Sequence, residues 1–294
     1  MAILRVAEDG EALIKCAGMA GPSDIVELET RYGRMLALAA DRYITGCLAA
    51  FGEYCESEAD VFRQLVKPGM TVVEVGANIG AHTVMLARAC APGRLIAFEP
   101  QQRVFQLLCA NLAINGVGNV TALPDAAGAA DGTAHIPALD YGAANNFGGI
   151  ALSAGADAGD WAEGRAVRVT PLDQLALPAC HFLKIDVEGW EADVLHGARG
   201  TIARRRPIIY LENDRSDQQG VLIGLLAELG YEQYWHVAPL FNRDNFKRGT
   251  EDITGGACSL NMLCLPKESP IGVTGFERID PANWRSPLKP IGAG

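Results

Sequence analysis

The residues with the clearest chemical meaning lie at positions 72–80, which read Val-Val-Glu-Val-Gly-Ala-Asn-Ile-Gly. An apolar run, typical of a buried strand, leads into a glycine-containing turn and then into a helical pattern. In such a turn Gly76 lets a ligand approach the backbone, and Gly80 lets the helix pack closely on the strand. The N–H groups at the start of the helix can bind polar or anionic groups. The pattern therefore predicts a ligand-binding βα turn, with a plain tight turn as the alternative.

A second carboxylate, Glu99, ends the next apolar run, 19 residues after Gly80. An acidic side chain at this point can accept hydrogen bonds from both hydroxyls of a ribose. The turn has Asn78 where a G-x-G-x-x-G dinucleotide site has glycine, and Glu74 suits a cationic amino group better than two phosphates. These features favour S-adenosylmethionine, which carries an amino group, a carboxylate, a sulfonium and an adenosine. A NAD(P)-dependent oxidoreductase on the same kind of sheet is the alternative.

Asp186 follows another apolar run, residues 182–185, and is expected at the edge of the sheet where ligands bind in open α/β folds. Methyl transfer to an oxygen requires that the alcohol lose its proton. A carboxylate with a raised pKa in a dry site could act as the general base. Lys184 shares the strand face of Asp186 and could orient the carboxylate or the substrate. Alternatively, Asp186 caps the next helix and Glu188 belongs only to its turn.

Other polar residues complete the predicted site. His82 lies in the first helical turn, where the neutral imidazole is favoured, and His236 could face an acceptor pocket or solvent. A metal ion is not predicted, because no spacing enforces a site among Asp186, Glu188, Glu212 and Asp214, although a divalent cation would be another way to acidify an alcohol. The predicted catalytic residues are Asp186, Lys184, Glu188 and His236, and the predicted substrate-binding residues are Asn145, Asn146, Phe147 and Asn213.

Short apolar runs alternate with amphipathic segments, which is typical of βα units over a parallel sheet. Hairpin-like runs at residues 25–28 and 34–40 and a capped helix beginning near Ser57 precede this region. A glycine- and asparagine-rich segment, residues 139–165, is predicted to be a long loop or lid. Strands are predicted at residues 71–75, 94–98, 120–123, 182–185, 207–211 and 261–265, and helices at residues 79–90, 101–114, 190–203 and 218–229.

The composition is that of an ordinary globular protein. The chain has 294 residues, 49% of them hydrophobic, and a formal net charge of −10. The acidic balance argues against nucleic-acid binding, which needs clustered Lys and Arg. No stretch approaches the ~20 apolar residues of a membrane helix, and the N-terminus has no signal-peptide core, so a soluble cytoplasmic protein is expected. The eight cysteines form no C-x-x-C pair, which favours reduced thiols.

Four stretches of the sequence together resemble the FkbM family of S-adenosylmethionine-dependent methyltransferases. They are VVEVGANIGAHT at 72–83, AFEP at 97–100, NLAIN at 111–115 and LKIDVEGWE at 183–191. The last stretch is long and specific, whereas the glycine turn is shared by many methyltransferases. Cys55 is a departure, because many relatives have Glu at this position.

The resemblance implies a class I methyltransferase fold: a Rossmann-like α/β architecture with a seven-stranded, mostly parallel sheet and helices on both faces. Glu99 would hold the ribose, and Asp125 with the backbone of Ala126 would meet the adenine edge. The cofactor-binding residues predicted in this way are Glu74, Gly76, Ala77, Asn78, Gly80, His82, Thr83, Glu99, Pro100, Asp125, Ala126 and Asp186.

The resemblance also implies O-methylation, since family members mostly methylate hydroxyls of sugars, glycolipids or secondary metabolites. The expected partner is a small-molecule or glycan acceptor, a homo-oligomer is possible, and a non-catalytic cofactor-binding scaffold is a further alternative. We expect residues 1–56 to form an N-terminal extension, 57–232 the cofactor-binding core and 233–294 the strands that complete the sheet and the substrate pocket.

Overall fold

The computed structural model describes residues 24–154 and 164–288. Within these ranges the strands are β1 (Ile25–Thr30), β2 (Gly33–Leu38), β3 (Thr71–Val75), β4 (Arg94–Phe98), β5 (Val120–Leu123), β6 (Ala126–Ala127), β7 (Gly132–Ile136), β8 (Ser153–Ala154), β9 (Arg165–Thr170), β10 (Phe182–Ile185), β11 (Ile208–Glu212), β12 (Tyr231–Pro239), β13 (Cys258–Pro266) and β14 (Glu277–Arg278). The helices are α1 (Ile44–Phe51), α2 (Glu56–Leu65), α3 (Thr83–Cys90), α4 (Gln102–Ile114), α5 (Glu191–Gly197), α6 (Arg199–Arg205) and α7 (Gln219–Glu228).

The main sheet has eight strands in the order β14-β12-β13-β11-β10-β3-β4-β5. Strands β11, β10, β3, β4 and β5 are parallel to one another, and β13 runs antiparallel between β11 and β12. The carboxyl ends of β3, β4 and β10 therefore meet at one edge, and this edge carries the chemical residues of the sequence. The architecture confirms the predicted class I methyltransferase fold, with one strand more than the seven expected. The additional strand is the short β14, which pairs with β12 at the edge.

The two faces of the sheet are both covered by apolar layers. Alternate residues of a strand point to opposite faces, so Val73 of β3 and Leu183 of β10 belong to one core, and Val72 and Phe182 belong to the other. Such strands are mainly apolar because neither face meets water, and Glu74 in β3 and Lys184 in β10 are the charged exceptions. On the second face, Phe62 of α2 packs edge-to-face against Phe182, with ring centroids 5.6 Å apart. The helix α2 is thereby fixed against the centre of the sheet.

Two predicted helix boundaries were wrong, and the side-chain cap predicted for a third helix is missing from the described residues. Helix α3 begins at Thr83, four residues later than predicted, because Asn78 and Gly80 have φ angles of +50° and +91°, outside the helical region. The helix predicted at 190–203 is two helices, α5 and α6, since Ala198 leaves helical geometry with ψ near 1°. Helix α2 begins before Ser57, and its Ncap residue, Cys55, makes no side-chain capping bond within the described residues.

The region between the third and fourth predicted strands also differs from the prediction. Strands β6, β9, β7 and β8 form a separate four-stranded sheet with its own small apolar core. This sheet was not predicted from the sequence, because its strands are short and interrupted by turn residues. The predicted loop at 139–165 therefore ends in strand structure at β8 and β9. Its residues 155–163, like the N-terminal segment and Cys16, lie outside the described residues.

Two further observations concern the described parts of the chain. None of their helices is long and apolar enough to cross a membrane. All cysteines in these parts are free thiols, and most of them are buried. The proposed division at residues 56 and 232 stays a prediction.

Candidate active site

A cavity opens at the carboxyl edge of the main sheet, with an empty volume of about 760 Å³ that includes space open to solvent. Three strand ends contribute most of its polar surface: the turn after β3 with Glu74, Gly76, Ala77 and Asn78; the turn after β4 with Glu99, Pro100 and Gln101; and the end of β10 with Lys184, Asp186, Val187 and Glu188. His82 also lines the cavity. The structure thus brings together most of the predicted cofactor residues and three of the four predicted catalytic ones.

The glycine turn after β3 has a specific steric role. Gly76 has a φ of +83°, and a Cβ atom there would lie 1.8 Å from the carbonyl oxygen of Asp186. Only glycine allows the ends of β3 and β10 to come this close. Gly80 lies behind the cavity, where a Cβ would be 2.9 Å from Leu108 of α4. The close packing predicted for Gly80 is therefore present, but against α4.

Glu99 joins two turns of the cavity wall. Its carboxylate accepts hydrogen bonds from the backbone N–H of Asn78 at 2.9 Å and of Gln101 at 2.8 Å. Burial raises the pKa of Glu99 to about 7, although both hydrogen bonds oppose the shift. A carboxylate so held is a fixed acceptor for hydroxyl donors.

Glu74 and Lys184 are neighbours across β3 and β10. They are register partners, and the Lys184 Nζ lies 3.8 Å from Glu74 Oε1 and 3.2 Å from Asp186 Oδ2. Burial raises the pKa of Glu74 to about 7, against the effect of the Lys184 charge. Burial would lower the pKa of Lys184, but the surrounding carboxylates, Asp186 foremost, raise it above its ordinary value. Lys184 is therefore a permanent buried cation.

Asp186 is the member of this group that reaches outward, with its side chain 37% exposed. Desolvation would raise the pKa of Asp186, but the charge and hydrogen bond of Lys184 outweigh it, and the pKa is lowered. A general base with a raised pKa was the sequence-based hypothesis, and the lowered pKa is opposite to it. An ionised Asp186 can still accept a hydrogen bond from a substrate.

His82 is a neutral group in the cavity wall. Its Nε2 lies 3.2 Å from the carbonyl oxygen of Tyr54, so this nitrogen carries the hydrogen and donates. Burial and the Lys184 charge lower the pKa of His82 to about 3. Burial is thus the main cause of its neutrality, ahead of the helix start that the sequence indicated.

Some predicted residues lie away from the cavity. His236 of β12 lies between Tyr210, whose hydroxyl is 2.7 Å from its Nδ1, and Ser57, whose hydroxyl is 3.2 Å from its Nε2. Asp125 accepts a hydrogen bond from Thr170 at 2.7 Å. In the described part of the chain the other predicted residues absent from the cavity wall are Gly80, Thr83, Ala126, Asn145, Asn146, Phe147 and Asn213.

The segment Asn-Asn-Phe-Gly-Gly at residues 145–149 contributes to the cavity through Gly148 and through residues that follow it. Gly148 lines the cavity, followed by Ile150 and Leu152, whereas Phe147 is buried and accepts a hydrogen bond from Gln101 Nε2 through its carbonyl. The apolar wall of the cavity also contains Ile44 and Tyr54, which the sequence patterns hardly indicate as site residues. Gln101 could have been found, because it directly follows the Glu99-Pro100 strand end.

The residues present fit a cofactor with a cationic amino group. Glu74 is 1% exposed, lines the cavity and has an oxygen, Oε2, without a hydrogen bond within the described residues. Gln101 Oε1 is likewise buried without a partner there. Buried unpaired acceptors cost free energy that a ligand donor would recover. Among the described residues, no group of three or more His, Cys, Asp or Glu side chains is placed to hold a metal ion.

Comparison with known proteins agrees with this chemistry. Residues 74–233, more than half of the chain, match the family model described as the methyltransferase FkbM domain. No curated protein matches the chain.

Several solved methyltransferase structures are distantly similar to the chain. The FkbM methyltransferase from Methylobacillus flagellatus is 16% identical, with a TM-score of 0.42, over 67% of this chain and 43% of that protein. The chain therefore matches less than half the length of that relative. A precorrin-6y C5,15-methyltransferase from Geobacter metallireducens is 14% identical, with a TM-score of 0.43, over 71% of this chain and 88% of that one. The O-methyltransferase TomG from Streptomyces achromogenes is 13% identical, with a TM-score of 0.44, over 71% of this chain and 80% of that one.

Proposed function

The chain belongs to the FkbM family of methyltransferases, and we propose that it transfers a methyl group from S-adenosylmethionine to a hydroxyl of a small molecule or glycan. The observation that carries the proposal is the meeting of Glu74, Lys184 and Asp186 at the glycine turn, where a buried unpaired acceptor and an exposed carboxylate share one cation.

The cavity residues divide the work of holding the cofactor. Glu74 would accept hydrogen bonds from the amino group of the cofactor, Glu99 would accept them from its ribose hydroxyls, and the turn at Gly76–Asn78 would let it approach the protein backbone. The cofactor, when bound, supplies an electrophilic methyl group. The protein's contribution is then to hold the acceptor in line and exclude water, which can supply about 7–11 kcal/mol of the barrier reduction.

Asp186 is the group that receives the acceptor hydroxyl. Its side chain is at the cavity edge, and the ammonium of Lys184, 3.2 Å away, fixes its orientation. Because its pKa is lowered, Asp186 polarises the hydroxyl as an ionised hydrogen-bond acceptor. The proton passes from the oxygen to the Asp186 carboxylate as the new bond to carbon forms.

The charge of the cavity favours neutral or cationic acceptors. Among the described lining residues, Glu74, Glu99, Asp186 and Glu188 are acidic, and Lys184 is basic. A phosphorylated or polyanionic acceptor would meet like charge, which is costly in a partly desolvated site. This supports a neutral sugar or metabolite hydroxyl and argues against nucleic acid as the substrate.

Transfer of a labelled methyl group tests the proposal. Purified protein is incubated with methyl-labelled S-adenosylmethionine and matched acceptors: neutral glycosides, the same glycosides with blocked hydroxyls, their phosphates and their amino analogues. A parallel incubation contains NAD in place of the methyl donor. We expect label only on the unblocked neutral compounds. Label on amino compounds alone would contradict O-methylation, and reduction of NAD without methyl transfer would support the oxidoreductase alternative.

A further inference from the structure

Glu58, a residue that no motif singles out, lies against the site from behind. Helix α2 is anchored by Phe62, which packs on Tyr210 and Phe182 of the sheet. Residues four apart share a helix face, so Glu58 also faces the sheet, and it is 4% exposed. One of its oxygens accepts hydrogen bonds from Cys55 Sγ at 3.2 Å and Asn261 Nδ2 at 3.1 Å. We call Glu58, Glu74, Asp186 and Lys184 the lysine cluster.

The charges of the lysine cluster do not balance. Lys184 follows Phe182 by two residues and shares its face of β10, and Phe62 packs on Phe182, so Glu58, one helical turn from Phe62, faces the same side of the sheet as Lys184. The Lys184 Nζ lies 3.8 Å from Glu74 Oε1 and 3.2 Å from Asp186 Oδ2, and the Lys184 charge also opposes the effect of burial on the pKa of Glu58. Three carboxylates are thus grouped with one ammonium, which is 2% exposed. Full ionisation would leave two uncompensated charges where desolvation is costly. Burial raises the pKa of Glu58 and of Glu74 to about 7 in each case.

Among the described residues, the other titratable groups around the cluster do not supply the missing charge. Burial raises the pKa of the thiol or hydroxyl in Cys55, Tyr54 and Tyr210, and that of the carboxyl in Glu212, well above ordinary values. Burial lowers the pKa of His82 to about 3 and of His236 to about 4. All these groups therefore favour their uncharged forms, and the balance is left to a proton on the cluster itself.

We propose that Glu58 and Glu74 share one proton in the free protein and that the cofactor's ammonium group, on binding at Glu74, expels it. The inference rests on the proposed function. The unpaired Glu74 Oε2, in a side chain that lines the cavity, is where the incoming cation replaces the proton.

The expelled proton prepares the cluster for the reaction. With the cofactor bound, Glu58 and Glu74 are both ionised, so the cluster can accept one proton. During transfer, the O–C bond forms as the bond between the methyl carbon and the cofactor's sulfur breaks, and the proton from the O–H bond of the acceptor passes to a cluster carboxylate. Asp186 is its entry point at the cavity edge, and Glu58 is a positioning residue that tunes the proton affinity of the cluster without touching substrate.

Calorimetry in buffers of different ionisation enthalpy measures this proton directly, without turnover. The ligand is S-adenosylhomocysteine, which carries the same amino group as the methyl donor. Wild-type protein should release a fraction of a proton on binding near pH 7, and its affinity should rise with pH, approaching about tenfold per pH unit below pH 7. Glu58→Gln should release fewer protons and show a flatter dependence of affinity on pH.

Glu56→Gln is the matched control, with the same substitution on the same helix at a residue 3% exposed and paired with Arg63. It should release as many protons as wild type. Glu99, whose pKa burial also raises to about 7, can release a proton in every variant, so the difference between Glu58→Gln and Glu56→Gln isolates the shared one.

Each outcome decides between the two claims. Binding with equal proton release in Glu58→Gln and Glu56→Gln would overturn the inference and leave the proposed function standing. A wild-type affinity that does not change with pH would overturn it without any variant, should Glu58→Gln fail to fold. Absence of binding to wild type would overturn both claims.

Discussion

Helix α2 carries two buried glutamates that face different surroundings. Glu56 belongs to an arginine cluster, in which Glu53 and Glu56 are paired with Arg31 and Arg63 at N–O distances of 2.7 and 2.8 Å. The two buried carboxylates there have two guanidinium groups, each partly open to solvent, and Arg63 also pairs with the exposed Asp60. Glu58, two residues later, belongs to the lysine cluster, in which three carboxylates share one buried ammonium.

The comparison distinguishes buried carboxylates that hold the structure together from buried carboxylates that take part in binding or proton transfer. In the arginine cluster each buried glutamate is ion-paired with a guanidinium group. Glu53 also accepts hydrogen bonds from Asn242 Nδ2 and from the backbone N–H of Phe246. The cluster ties the segments around α1 and α2 to the chain near residue 245. In the lysine cluster, charge is left uncompensated beside a cavity, which is a hallmark of sites that bind cations or move protons.

Replacing Asp186 removes the one member of the lysine cluster that reaches the cavity edge. We expect Asp186→Asn to lower turnover by about 10²–10⁴-fold, since the acceptor loses its ionised hydrogen-bond partner. Cofactor affinity should change little, because Glu74 and Glu99 are kept. Steady-state kinetics and calorimetry measure the two effects, and an Asn variant with wild-type turnover would remove Asp186 from the mechanism.

Replacing the cation of each cluster sharpens the comparison. Lys184→Met leaves three carboxylates without a buried partner, and the free energy of unfolding near pH 8 should fall by about 3–5 kcal/mol. The loss should shrink toward acid pH, where Glu58 and Glu74 are protonated in the folded state. Arg63→Met, whose guanidinium is 41% exposed, should cost only about 1 kcal/mol. Urea unfolding that gave equal losses for both variants would contradict the distinction.

Glu99 shows a third arrangement, a buried carboxylate held by two backbone N–H groups. We expect Glu99→Ala to weaken binding of S-adenosylmethionine by about 2 kcal/mol through loss of charge-assisted hydrogen bonds. Titration calorimetry measures the change. Unchanged affinity in a folded variant would mean that Glu99 does not hold the ribose.

The pH dependence of stability compares Glu58 and Glu56 directly. Burial raises the pKa of Glu58 to about 7, above the value near 4.3 of an unfolded chain. Between these pH values the folded state holds a proton that the unfolded state has lost, so this residue makes wild-type stability fall as pH rises. Glu58→Gln should therefore gain stability relative to wild type, by up to about 1.4 kcal/mol per pH unit across that window.

Glu56→Gln should show no such gain, because it breaks an ion pair and relieves no shared charge. Unfolding curves at several pH values distinguish the two variants. A parallel pH dependence of both would show that the two clusters do not differ in their need for a proton.

The site was predictable where it depends on strand ends. Glu99 and Asp186 each directly follow an apolar run, Glu74 lies one residue before the end of another, and parallel strands bring such ends together. The steric reason for Gly76 was not visible, because it depends on the approach of β10, more than 100 residues away. Glu58 was not predictable either, since its place depends on how Phe62 packs on the sheet.

The remaining misses have the same origin. His236 follows Trp235 and was predicted to be a catalytic residue. Its partners Ser57 and Tyr210 come from distant segments, and it does not line the cavity. The small sheet of β6 to β9 was missed because its pairing is non-local and its strands are short. Local patterns determine the strands, whereas tertiary packing determines which side chains share a cavity.

The proposed function depends most on Glu74, which we propose binds the amino group of S-adenosylmethionine. Calorimetric titration with S-adenosylmethionine, S-adenosylhomocysteine and NAD, on wild type and on Glu74→Gln, tests it most directly. We expect that wild type binds the first two ligands and not NAD. Glu74→Gln should lower the affinity for both of them by at least about tenfold, since a charged hydrogen bond is lost. Binding of NAD alone, or Glu74→Gln affinities equal to wild type, would contradict it.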